Sequence, residues 1–141
     1  MTNRKSTSLI VIHCSATFAH QNVTAEEIRR WHVEDRGWSD IGYNAVIERN
    51  GDIRMGRQEG AIGAHAKGFN SESIAVCMVG GLDEKGRPEN NFTKDQFESL
   101  AIYVRGLTHL YPDAEVIGHR DLPRVKKDCP CFDVRKWWDH L

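Results

Sequence analysis

Gly118-His119-Arg120-Asp121, running on to Lys127-Asp128-Cys129-Pro130-Cys131-Phe132-Asp133, forms a polar connection between the short apolar run Glu115-Val116-Ile117 and an amphipathic segment that Asp133 is positioned to cap. A strand therefore delivers a histidine and a loop delivers a thiol, both good donors to a borderline-soft metal ion. A catalytic zinc takes three protein groups and keeps a fourth position open, so a third donor is needed. The best candidate is His13, at the end of Leu9-Ile10-Val11-Ile12, where a strand would carry its ring onto a loop-rich rim. Spacing alone leaves the set open. No compact signature such as H-E-x-x-H occurs, each of the seven histidines also fits a surface or hydrogen-bonded role, and Cys131 competes with Cys129.

Working outward, the chain alternates elements without repeats or low-complexity segments. Thr24-Ala25-Glu26-Glu27 reads as a capping box, and Ile28, Trp31 and His32 recur at helical spacing until Gly37, which predicts an amphipathic helix of about three turns. The runs 44–49 and 52–57 flank Asn50-Gly51, a pair suited to a type I′ hairpin turn. Glu59 to Asn70 is rich in Gly and Ala and reads as a loop wrapping one edge of a sheet. Ser73 to Val79 is a fully buried strand, and Gly80 to Asn91 a polar turn region. Thr93 opens a second capped helix with Phe97, Leu100, Ala101, Val104 and Leu107 on one face, stopped by Pro112. A last helix after Asp133 turns Val134, Trp137 and Trp138 inward. This pattern predicts an α/β chain of mixed, α+β-like character, with a central mixed β-sheet flanked by about three helices.

Composition bounds the function. A chain of 141 residues fits one domain around a single core, here residues 1–141 with a polar extension over residues 1–7. A net charge of −1, with 19 basic residues dispersed among 20 acids, gives no footprint for nucleic acid. The apolar run behind Thr7 is too short for a signal segment or a membrane span, so the product is expected to begin in the cytoplasm and to have no membrane partner. In that reducing compartment the four cysteines are expected as thiols. Cys77 sits in an apolar run and reads as packing, while Cys14, next to His13, faces the core if His13 faces a metal.

Val11-Ile12-His13-Cys14-Ser15-Ala16-Thr17, Gly37-Trp38-Ser39-Asp40-Ile41-Gly42-Tyr43, Ala64-His65-Ala66-Lys67-Gly68-Phe69-Asn70 and Lys127-Asp128-Cys129-Pro130-Cys131-Phe132-Asp133 occur here in one order. Together they closely resemble the zinc N-acetylmuramoyl-L-alanine amidases, above all the small phage lysozymes of the T-seven type, with peptidoglycan recognition proteins as more distant relatives of the same fold. The likeness runs from about Ser8 to Trp138. It selects Cys129 over Cys131 and implies one Zn2+ held by His13, His119 and Cys129. It further implies catalytic roles for Tyr43 and Lys127, the lysine stabilising an oxyanion and the tyrosine orienting water or moving its proton. His65 and Asn70 are expected near the glycan or peptide. The solvated or packed reading stands for His20, His32, His109 and His140.

The resemblance implies that the substrate is peptidoglycan, cut between the lactyl group of N-acetylmuramic acid and L-alanine. It also implies a monomeric endolysin, held in the host cytoplasm until released to the wall. No pair of carboxylates stands out as a glycosidase would require. Two departures narrow what carries over. The connection from His119 to Cys129 is longer than in the phage enzymes, and the polar extension is shorter in the region that binds phage RNA polymerase there. A recognition module that binds the wall without cutting it, and a polymerase-binding regulator, are the alternatives. Recognition relatives lack the ligand cysteine that Cys129 supplies here.

Overall fold

The computed structural model describes residues 2–141. Strand β1 (Leu9–Cys14) is a continuous apolar run because both of its faces are covered. Next in the chain come β2 (Thr17–Phe18), α1 (Ala25–Arg30), β3 (Ala45–Ile47) and β4 (Ile53–Met55). They are followed by β5 (Ser73–Met78), β6 (Gly81–Leu82), α2 (Lys94–Leu110), β7 (Glu115–Gly118) and α3 (Val134–Asp139). The main sheet has the order β4-β3-β5-β1-β7, with β1 parallel to both β5 and β7, β3 parallel to β5, and β4 antiparallel at the edge. This is the mixed sheet with three α-helices that the hydrophobic pattern predicts. The pairing of β2 with β6 in a separate two-stranded sheet is new, because these strands are too short to show a period.

Alternation along the strands divides the core. Ile10, Ile12, Cys14, Ile74, Val76, Met78 and Val116 point toward Leu100, Val104 and Leu107 of α2 and Val134 of α3. On the other face, Val46 and Cys77 meet Val23 and Ile28, while Val11 and Ile117 meet Ala66 and Leu122. The 59–70 segment therefore lies partly on a sheet face as well as past its edge, with Ala66 buried. Its approach is close. A Cβ on Gly42 would lie 2.2 Å from the Ala64 carbonyl oxygen, so only glycine fits before Tyr43. The residues ahead of β1 are also tied to this segment: Asn3 bridges Ala61, and the Arg4 guanidinium donates to the Ala61 carbonyl at 2.9 Å and pairs with Glu59.

Two local expectations are corrected. The predicted three-turn helix is α-helical only to Arg30 and continues as a π-helical turn over Trp31–Asp35, where the Arg36 N–H bonds to the Trp31 carbonyl. His32 is buried on it, but Trp31 lies at the surface. In the β3–β4 hairpin only Gly51 has positive φ, +91°, and its N–H bonds to the Glu48 carbonyl. The connection is a three-residue loop ending in a left-handed glycine, and the two-residue type I′ turn is absent. Val134, Trp137 and Trp138 face inward as expected, Val134 fully enclosed and the two tryptophans half-buried against the core margin.

Gln96 ties α2 to the sheet. Its Oε1 closes the capping box by accepting from the Thr93 N–H at 2.9 Å, and its Nε2 donates to the carbonyls of Ile47 at 3.1 Å and Val79 at 2.9 Å, all with no solvent exposure. Truncation leaves the Thr93 N–H without its acceptor, at roughly 1–3 kcal/mol if no water reaches it, while the Ile47 carbonyl keeps the Val79 N–H at 3.1 Å and the Val79 carbonyl keeps the Arg49 guanidinium at 3.2 Å. Gln96→Ala is expected to lower stability by about 1–3 kcal/mol in urea unfolding. A loss below about 0.5 kcal/mol would mean that water replaces the amide.

Candidate metal centre

The centre forms at the C-terminal ends of adjacent parallel strands. Ile12 of β1 lies opposite Gly118 of β7, so the next residues, His13 and His119, emerge side by side, with ring centroids 4.3 Å apart. His13, next to last in β1, is buried at 2% exposure, whereas His119 opens a 3-10 turn and is half-buried. Asp121 fixes that turn by accepting from the Gly118 N–H at 2.8 Å.

The 120–128 loop then returns the thiol. The Cys129 carbonyl accepts from the Arg120 N–H at 2.8 Å, and the Cys129 sulfur accepts from the Cys14 N–H at 3.1 Å. The donor atoms of His13, His119 and Cys129 all lie within 4.8 Å of one another. Two imidazoles and a thiol at that spacing have the donor chemistry of a zinc site. Cys131 turns away toward the core side. Its sulfur lies 3.9 Å from the Cys14 sulfur and faces the Gly81 carbonyl. Cys14 and Cys77 are buried, and all four cysteines are free thiols.

Tyr43 packs against His13, with ring centroids 5.2 Å apart, and against His32 at 5.6 Å. His32 is itself held by the Gly42 N–H, which donates to its Nδ1 at 2.9 Å. Burial raises the Tyr43 pKa well above its ordinary value, so the phenol stays protonated. Lys127 is exposed on the rim, near enough to His119 to add to the lowering of its pKa by burial.

Both ring nitrogens of His65 and the side-chain oxygen of Asn70 are engaged within the protein. His65 Nδ1 lies 2.8 Å from His13 Nε2, and His65 Nε2 lies 2.9 Å from Ser73 Oγ. Asn70 Oδ1 accepts from the N–H groups of His65 and Ala66, both at 2.9 Å. His65 still lines a cleft of about 770 Å3 that opens beside the donors, together with Lys67, Phe69, His119, Leu122 and Arg124. Sequence reading missed Ser73, which sits at the mouth of an apolar strand with nothing in its neighbours to mark it. It also missed the Cys14 N–H, since a backbone donor has no residue signature.

Parallel strands β1 and β7 and the loop after β7 thus bring a His, His, Cys cluster that could hold a metal ion to the edge of an open cleft, where hydrolytic sites are commonly built. The chain belongs to the N-acetylmuramoyl-L-alanine amidase family, whose model matches residues 3–132. It is 46% identical over 138 residues to the endolysin of Klebsiella phage KP32, covering 98% of this chain and 89% of that one. It is likewise 46% identical over 136 residues to the endolysin of Escherichia phage T7, covering 96% and 88%. Among solved structures, the N-acetylmuramoyl-L-alanine amidase LysC from Clostridium intestinale superposes with a TM-score of 0.78 at 30% identity, over 94% of this chain and 81% of that one.

The buried imidazoles make the metal-free protein acid-sensitive. Burial is the largest cause lowering the pKa of His13 far below its ordinary value and that of His65 to about 3. An unfolded histidine takes up its proton near pH 6.5, whereas these two do not in the folded state, so the unfolded state binds more protons below that pH. Stability contributed by neutral burial is intact above about pH 6.5 and is lost as pH falls from there toward the folded values. Urea midpoints of the metal-free protein are expected to fall between pH 6.5 and 5, above the carboxylate range. Identical midpoints across that window would contradict neutral burial of these rings.

Proposed function

We propose that this chain is a zinc-dependent N-acetylmuramoyl-L-alanine amidase acting as a phage or prophage endolysin, and that it hydrolyses the bond between the lactyl group of N-acetylmuramic acid and the L-alanine of the peptide stem. The observation that carries the reading is the convergence of His13, His119 and Cys129 within 4.8 Å beside an open cleft. Membership of the amidase family and the similarity to phage endolysins support the substrate and the setting. A module that only recognised the wall would have no need of three converging donors.

His13, His119 and Cys129 would hold the zinc. When bound, the ion supplies a Lewis acid for the scissile carbonyl and acidifies water for attack. The 770 Å3 cleft receives the peptide stem and muramic acid, with Phe69 and Leu122 offering apolar contact and Lys67 and Arg124 offering charge at its rim. Lys127 is exposed with its charge felt at His119, which suits it to stabilise negative charge gathering on the carbonyl oxygen. Tyr43, kept protonated by burial, suits a hydrogen-bonding role that orients water beside His13. Among the described residues no helix is long and apolar enough to cross a membrane. As an endolysin, the protein would remain in the host cytoplasm until released to the wall.

Digestion of purified peptidoglycan is expected to liberate new L-alanine amino termini and to leave glycan strands long. Mass spectrometry that found new reducing sugar ends, with stems still attached to muramic acid, would rule the amidase reading out. Cys129→Ala is expected to abolish tight zinc binding while Cys131→Ala keeps most of it, and equal metal loss in both would undo the ligand assignment. Lys127→Ala is expected to retain zinc and lose about 100-fold or more in kcat. Turnover near normal in that variant would remove the lysine from the mechanism.

A further inference from the structure

The hydrogen bonds behind His13 have a direction that donor and acceptor chemistry fixes. The Phe69 carbonyl is an acceptor only, and Ser73 Oγ donates to it at 2.7 Å. That contact uses the single hydroxyl proton of Ser73, a residue with no solvent exposure, so only lone pairs face His65 Nε2 at 2.9 Å. His65 Nε2 must therefore carry a proton. A neutral imidazole has one N–H, which leaves His65 Nδ1 as an acceptor. Its partner at 2.8 Å, His13 Nε2, must then be the donor.

The opposite direction fails on its own terms. If His65 Nδ1 donated to His13 Nε2, the remaining proton of a neutral His13 would sit on Nδ1, and neither nitrogen would have a lone pair for a metal. The relay is held from outside as well. Asn70 Oδ1 anchors the backbone of His65, and Phe69 and Ser73 flank the 3-10 turn Asn70–Glu72.

We infer that His65 and Ser73 are positioning residues that fix His13 in its Nε2–H tautomer, so that Nδ1 is the atom presented to the metal. The inference rests on the zinc-site reading above. It gives the His-Ala-Lys-Gly stretch a purpose apart from substrate contact. Both ring nitrogens of His65 are engaged, so the cleft meets only the carbon edge of the ring. A carboxylate or carbonyl commonly takes the outward N–H of a metal-bound histidine. Here a second imidazole takes it and passes the polarity on to a hydroxyl and a backbone carbonyl.

The test uses the full chain, uniformly labelled with 15N and loaded with zinc. Long-range 1H–15N correlation of the imidazoles is expected to show His13 protonated at Nε2 with zinc at Nδ1, and His65 protonated at Nε2 only. In chelator competition, His65→Phe is expected to weaken zinc binding by about 10–100-fold. His65→Asn, whose side chain can place an acceptor near the former Nδ1, should recover much of that loss. Ser73→Ala should give a smaller loss and let the His65 tautomers mix. A protein with zinc bound at His13 Nε2, or undiminished affinity in His65→Phe, would overturn the relay and leave the zinc site standing. Failure of the unaltered protein to bind zinc would overturn both.

Discussion

The site depends on the register of two parallel strands. With Ile12 opposite Gly118, His13 and His119 leave the sheet side by side, and the ends of parallel strands turn outward together. A shift of one residue would send His13 to the opposite face, against Leu100 and Val104 of α2, where an unpaired imidazole has no partner. Burial on both faces of β1 makes that shift costly. Each slipped residue would exchange a fitted apolar position for an unfitted one, so the forces that hold the core also hold the metal donors in place.

Residue 14 shows how closely the two faces are coupled. Its side chain belongs to the core beside α2 and α3, yet its N–H donates to the sulfur of Cys129 on the site side. Such a bond stabilises negative charge on sulfur without adding a side chain to the cleft. The loop that carries Cys129 is in turn held by Arg120, and the neighbouring Cys131 anchors against Cys14 and Gly81. The thiol of the donor cluster and the thiol packed against Cys14 are thus separated by one proline, and the fold gives them different surroundings.

Much of this was legible in the chain. The apolar runs at Leu9–Ile12 and Ser73–Val79, the caps at Thr24, Thr93 and Asp133, and the glycine at residue 51 each act locally, so spacing revealed them. What escaped depends on tertiary context. The π-helical turn after Arg30 preserves the polarity pattern of an ordinary helix while shifting its faces. The β2–β6 pair is too short to carry a period. The metal donors were nameable through ordered motifs, but the engagement of His65 with His13 and Ser73 arises only when the 59–70 segment folds down onto β1 and β5. A histidine in a Gly-rich loop reads as a ligand contact until its neighbours in space are known. Ser73 had no signal of its own, because a hydroxyl at a strand entrance is commonplace.

The distance between the donors along the chain also sets a timetable for biosynthesis. Cys129 reaches the backbone of β1 across a separation of 115 residues. At roughly 5–20 residues per second on the ribosome, on the order of ten seconds pass between synthesis of the first donor and the last. During that interval the nascent chain gains the other four strands of the main sheet and the second imidazole, and still lacks the thiol that completes the cluster. The parallel pairings that join β1 to β5 and β7 are long-range contacts, which form late in folding. The polypeptide is therefore carried through most of its manufacture without the assembled His, His, Cys cluster, which closes only after every strand of the main sheet has been made.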